Sequence, residues 1–191
     1  MGKKMTEIRW HARGGQGAKT AATLMAQMAI EEGKFSQGFP EYGPERMGAP
    51  IRGFTRISEQ EIRVHSAIEK PDAAVVLDET LLDTVDVCDG LSDDGVLIVN
   101  TQESPEVLRK RLGLKGRKVY TIDATTISIK EIGRPIPNTP MMGALVKALG
   151  ILSLDTVIKD IRKKFGKKFS EKVVQGNLNA VKRAYDEVLC G

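Results

Sequence analysis

Ile8-Arg9-Trp10-His11-Ala12, running into Arg13-Gly14-Gly15-Gln16-Gly17-Ala18-Lys19-Thr20, is the stretch that decides the fold. The first five residues are a short strand-like run. Residues 18–30, rich in Ala, Met and Leu, have the composition of a helix. Strand, glycine loop and helix in that order point backbone N–H groups at an anion. Three glycines within residues 14–17 permit positive φ angles and let a ligand approach the backbone closely. The loop is therefore predicted to lie at the functional end of an α/β sheet.

Two familiar phosphate motifs fit this loop incompletely. A P-loop needs Gly, four residues, then Gly-Lys-Ser/Thr, but Arg13 and Ala18 stand where its two glycines belong. A dinucleotide fingerprint needs G-x-G-x-x-G, and Thr20 stands in place of the third glycine after Gly15 and Gly17. The local residues leave two readings open: a seat for a phosphate-bearing ligand, or a tight turn with no ligand.

The chain has 191 residues, 41% hydrophobic and 28% charged, as expected of one domain, 1–191, with a sizeable core. A net charge of +4 is too small to argue for nucleic acid. Cys88 and Cys190 are the only cysteines, which excludes a disulfide framework and a four-thiolate iron–sulfur cluster held within the chain. With only His11 and His65 present, no metal site is expected. His65, in Ile62-Arg63-Val64-His65-Ser66, reads as a strand residue. No apolar run has membrane-span length and no signal-peptide pattern is seen, so no membrane partner and a cytoplasmic location are expected. Met1 to Thr6 fit the loose myristoylation pattern, which short sequences match easily by chance.

After Gly33, placed as a helix C′ glycine, residues 38–50 carry three glycines and three prolines. They exclude a helix or central strand. Phe39, Tyr42 and Arg46 make this more than a polar linker, and a long loop of such content is functional or interface-forming. Residues 51–58 alternate as a half-exposed strand, and 61–66 read as its hairpin partner. Residues 73–77, 96–100 and 119–123 are apolar runs suited to buried parallel strands. Asp78 sits as a cap, and Ser104-Pro105-Glu106 as N-cap, N1 and N2 of a short helix. Ten acidic residues and no Lys or Arg lie between 71 and 108, scattered as a solvated face rather than a metal site. The last part is helical. Thr139-Pro140 reads as N-cap and N1 of a helix over 141–149, Ser153 caps the next, and Ser170 starts the last. Leu154, Val157, Ile158, Ile161 and Phe165 form an apolar stripe. The seven basic residues within 159–172 read as the wet face of amphipathic helices.

Three blocks together carry a family resemblance: Arg13-Gly14-Gly15-Gln16-Gly17, Glu41-Tyr42-Gly43-Pro44-Glu45-Arg46, and Asn138-Thr139-Pro140-Met141-Met142-Gly143-Ala144. Their order and spacing resemble the gamma subunit of 2-oxoacid:ferredoxin oxidoreductases, and most closely the pyruvate enzymes, or pyruvate synthases. Met47 departs from the Arg or Gly usual after that Arg. Asp89-Gly90 begins like the family's diphosphate motif, but no buried strand precedes it and the next residues do not fit.

The resemblance implies a three-layer, Rossmann-like α/β/α fold with a mostly parallel, mixed sheet and a helical C-terminal part. It implies a complex that converts pyruvate and coenzyme A to acetyl-CoA and carbon dioxide with reduction of ferredoxin. Alpha, beta and delta subunits are the implied partners, and they carry thiamine diphosphate, magnesium and iron–sulfur clusters. In single-chain enzymes the matching segment is an α/β domain beside the coenzyme A site. Arg13, Gly14, Gly15, Gln16 and Gly17 are then expected to meet the coenzyme A phosphates, with Lys19 a weaker candidate, and Tyr42, Glu45 and Arg46 to contact partner subunits. No catalytic residue is assigned. Other 2-oxoacids (branched-chain, aryl or 2-oxoglutarate), a purely structural subunit and a free-standing nucleotide-binding oxidoreductase are the alternatives. The last needs an acidic ribose ligand, for which Glu41 is roughly placed.

Overall fold

Continuous apolar runs become strands buried on both faces, and they build the centre of the sheet. A computed structural model describes residues 5–41 and 48–191 of the chain. In it β4 (Ala73–Val76) and β5 (Val96–Asn100) are wholly buried. They pair in parallel with each other, and on either side with β1 (Met5–Arg13) and β6 (Lys118–Ile122). β3 (Pro50–Ser58) runs antiparallel to β1, with Arg13 opposite Pro50, and β2 (Phe35–Pro40) is its outer neighbour. The two-residue β7 (Leu189–Cys190) closes the other edge antiparallel to β6. The order is β2-β3-β1-β4-β5-β6-β7, a mixed sheet with a parallel centre.

Two apolar clusters flank the sheet. On one face α1 (Ala18–Glu31), α3 (Ala124–Ile132), α4 (Asn138–Leu149), α5 (Leu154–Phe165) and α6 (Glu171–Glu187) pack against Ile8, Trp10, Val75 and Ile98. On the other, α2 (Pro105–Arg111) and a 3-10 turn at Glu79–Asp83 cover Ala74, Val76, Leu97 and Val99. The expected three layers and helical C-terminal part are both present.

The local caps follow side-chain chemistry. Asp78, Ser104 and Ser153 each accept the expected N–H, from Thr80, Val107 and Thr156. Asp123 likewise caps α3, a helix the sequence did not announce.

Four expectations need correction. Residues 61–66 are not a hairpin strand, and His65 is exposed coil rather than a strand residue. Both edges of β3 are already taken by β1 and β2, so no ladder is open to them. The segment instead crosses the sheet face, where the buried Arg56 donates to Ser66 O at 2.8 Å. Gly38 to Pro40 belong to β2 rather than to the loop, and an edge position tolerates their Gly and Pro. Thr139-Pro140 do not start α4. The helix begins at Asn138, whose Oδ1 accepts from the Thr139 N–H at 2.8 Å. Ser170 precedes α6 as expected, but its side chain makes no capping bond.

Candidate functional site

β1 continues into α1 on one face of the sheet, whereas its parallel neighbour β4 continues into the 3-10 turn on the other face. Ligands of open α/β sheets lie outside the carboxyl ends of strands at such a divergence. Residues 13–17 occupy this point.

The loop is stitched to the start of β3. Gly14 N–H donates to Ala49 O at 2.9 Å, and Gly48 N–H to Gly14 O at 3.3 Å. Gln16 folds back and closes the turn, its Oε1 accepting from Arg13 N–H at 2.8 Å. Its Nε2 donates to Asp78 Oδ2 at 2.6 Å, which binds the loop to the end of β4. Gly15 and Gly17 stand at φ of 98° and 86°, in the left-handed region that favours glycine.

The two glycines differ in what surrounds them. A Cβ on Gly17 would lie 2.5 Å from Asn138 Nδ2, whereas a Cβ on Gly15 would meet nothing within 4 Å. Gly17 is thus fixed by packing on α4, and Gly15 faces open space. As N-cap of α1, Gly17 offers no side-chain acceptor, so the first N–H groups of the helix are left for another partner. Gly15 and Gly17 N–H make no backbone hydrogen bond among the described residues.

Arg13 is held at the mouth of this loop. Its Nε donates to Thr80 Oγ1 at 3.0 Å and its Nη1 to Gly48 O at 3.1 Å. Asp78 Oδ2 is 3.6 Å from Nε. Burial pushes the Asp78 carboxyl upward, but hydrogen bonds from Thr80 and Gln16 outweigh it, and the group stays below the usual carboxylate range. Lys19 is exposed, one turn away, and makes no ion pair among the described residues.

Two hollows flank the loop. Over the ends of β4, β5 and β6 lies a cavity of about 380 Å³ lined by Gln16, Asp78, Glu79, Asn100 and Asp123. Its carboxylates repel an anion. On the helical side a groove of about 670 Å³ reaches Thr20 and Asn138 and carries Arg134, Lys164, Lys167 and Lys168. Phosphate therefore has favourable electrostatics only from the Gly15 and α1 side.

The structure brings Arg13, Gly14, Gly15, Gln16 and Gly17 together, with Lys19 at the margin. Tyr42, Glu45 and Arg46 lie outside the described residues. Asn138 is the contact the sequence did not assign; it stood in the quoted 138–144 block, but nothing local placed it against Gly17. Glu41 is bound twice by Arg52, from Nε at 2.7 Å and from Nη2, and so is not free to hold a ribose. No group of three or more His, Cys, Asp or Glu side chains that could hold a metal ion occurs among the described residues. Nor, among them, is any helix long and apolar enough to cross a membrane.

The profile of the pyruvate ferredoxin/flavodoxin oxidoreductase family matches residues 7–187. The chain belongs to this family. Pyruvate synthase subunit PorC of Thermotoga maritima is 53% identical over 188 residues, covering 98% of this chain and 97% of that protein. The crystal structure of the pyruvate oxidoreductase subunit PORC from the same organism superposes with a TM-score of 0.87, at 48% identity and 99% coverage of both chains. The pyruvate/ketoisovalerate oxidoreductases common subunit gamma of Pyrococcus abyssi is 46% identical, covering 96% of this chain and 97% of that protein. A 2-oxoglutarate:ferredoxin oxidoreductase from Magnetococcus marinus, solved with 2-oxoglutarate, coenzyme A and succinyl-CoA bound, shares the fold at a TM-score of 0.78 and 21% identity. It aligns over 96% of this chain but 31% of that longer one.

Proposed function

We propose that this subunit supplies the coenzyme A phosphate site of its complex through residues 13–17. The chain is a gamma-type subunit of pyruvate:ferredoxin oxidoreductase, an oxidoreductase that works as a multi-subunit complex. The reaction joins pyruvate and coenzyme A to give acetyl-CoA and carbon dioxide, with two electrons passing to ferredoxin. Thiamine diphosphate, magnesium and the iron–sulfur clusters belong to the alpha, beta and delta partners. Two cysteines are too few for a four-thiolate cluster, so this chain's residues do not fit that group. The assembled enzyme works in the cytoplasm, where ferredoxin is its acceptor.

The observation that carries the loop's role is the uncapped start of α1 beside open space at Gly15, with the Arg13 guanidinium fixed at its mouth. Coenzyme A presents a pyrophosphate and a 3′-phosphate in a small volume. The helix terminus contributes up to about 2 kcal/mol to an anion there when partly buried. A charge-assisted bond from Arg13 contributes roughly 1.5–3 kcal/mol. The longer Magnetococcus oxidoreductase that shares this fold was solved with coenzyme A bound, the ligand proposed here for the loop. Pyruvate selection falls to the partner subunits, since the Pyrococcus gamma relative is common to pyruvate and ketoisovalerate enzymes.

Arg13→Ala in reconstituted complex tests this. The KM for coenzyme A is expected to rise about tenfold to a hundredfold. Formation of the first intermediate from pyruvate without coenzyme A is expected to be unchanged. Equal losses for both substrates, or none, would leave the loop a structural turn.

A further inference from the structure

The turn after α5 places cations and aromatics around the helical groove. Lys168 and Phe169 N–H both donate to Phe165 O, at 2.9 and 2.8 Å, so the chain doubles back there. Phe169 is 50% exposed and meets Phe165 edge-on at a ring separation of 5.5 Å. Leu24 of α1, Ile136 and Val173 of α6 complete an apolar floor.

Of the seven basic residues of 159–172, three are ion-paired. Arg162 pairs with Glu171 and Lys163 with Glu31, at 3.0 Å each, on the wet face the sequence suggested. Lys164 is paired with the buried Asp160. Lys167, Lys168 and Arg134, all lining the groove, make no ion pair among the described residues. An apolar floor with an uncompensated positive rim calls for an occupant that is apolar along its centre and acidic along its borders.

We infer that this groove seats an acidic amphipathic segment of a partner subunit. The inference rests on the coenzyme A reading: thiamine diphosphate is assigned to partner subunits, so coenzyme A held by this chain has to reach across a boundary between subunits. The groove adjoins that boundary, because Thr20 and Asn138 line it while Asn138 also packs against Gly17. A segment seated there would bring partner surface to the edge of the glycine loop. Charge complementarity of this kind governs association rate and salt dependence as well as affinity.

The test uses the full complex, with Lys167→Glu/Lys168→Glu in one variant and Phe169→Ala in another. Both isolated variants are expected to keep the wild-type circular dichroism, since these side chains are at the surface. The dissociation constant of the double variant for the remaining subunits is expected to rise at least about tenfold, with a weaker dependence on salt. Phe169→Ala is expected to weaken assembly with the salt dependence unchanged. Assembly as tight as wild type across salt concentrations in both variants would overturn the inference. So would a raised KM for coenzyme A with intact assembly, which would give the groove to the small molecule. Arg13→Ala is expected to raise that KM without weakening assembly, so either assignment can fail while the other stands.

Discussion

His11 lies on β1 two residues after Arg9, and its Nε2 accepts a hydrogen bond from Arg9 Nε at 3.1 Å. Burial, then the nearby Arg9 and Arg52, lowers its pKa to about 3, against 6.5 in the unfolded chain. Between these values the unfolded chain binds a proton that the folded chain does not. His11 therefore favours the fold fully above pH 6.5, and stability is lost as pH falls from 6.5 towards 3. The loss is about 1.4 kcal/mol per pH unit at most. His11→Gln keeps a neutral acceptor for Arg9 and removes the titration. In urea unfolding at pH 7 and pH 5, wild type is expected to lose about 2 kcal/mol more than the variant. Equal losses would show that His11 is solvated. No local pattern marks this burial, because it comes from distant chain: Arg9 also donates to Val87 O and Asp89 O.

At the scale of elements, α4 packs tightly on α6 where Gly143 faces Val181. A Cβ on Gly143 would stand 2.3 Å from Val181 O, a backbone atom that cannot rotate away. Gly143→Ala favours the isolated helix by about 1 kcal/mol, but overpacking costs about 1–3 kcal/mol or more and is expected to win. A lower urea midpoint with unchanged slope would confirm it, and a higher midpoint would mean the helices separate freely. The glycine was visible in the 138–144 block, yet its packing role was not, since Val181 is remote in sequence. α5 was legible because Val157 and Ile161 fall on a 3.6-residue stripe and are both fully buried. α3 was not, because a nine-residue helix with three buried positions, Ala124, Ile127 and Ser128, shows no sustained period. β7 has only two residues, both exposed, and no pattern marks such a strand.

For the whole molecule, the parallel centre of the sheet was readable from its apolar runs, and the glycine loop from its residue types. The path of residues 59–72 was not, because it depends on which edges of β3 are free. The groove was hidden too, since α1, α5 and α6 meet only after folding. The loop's polarity also depends on distant chain: Asp78, just beyond β4, sits on one side, and Arg134 and the lysines on the other. The most direct measurement is a matched pair of glycine variants in the assembled enzyme. Gly15 (φ 98°) and Gly113 (φ 62°) both have open space around a would-be Cβ. Alanine strains both backbones, and more at Gly15, whose φ lies beyond the left-handed well open to L residues, so a steady KM for pyruvate is what separates lost phosphate binding from general damage. Only Gly15 lies at the proposed phosphate site. Expected is a KM for coenzyme A raised about tenfold in Gly15→Ala and within about twofold of wild type in Gly113→Ala, with the KM for pyruvate steady in both. A coenzyme A KM that moves equally in the two variants, or in neither, would contradict the phosphate-binding role of the loop.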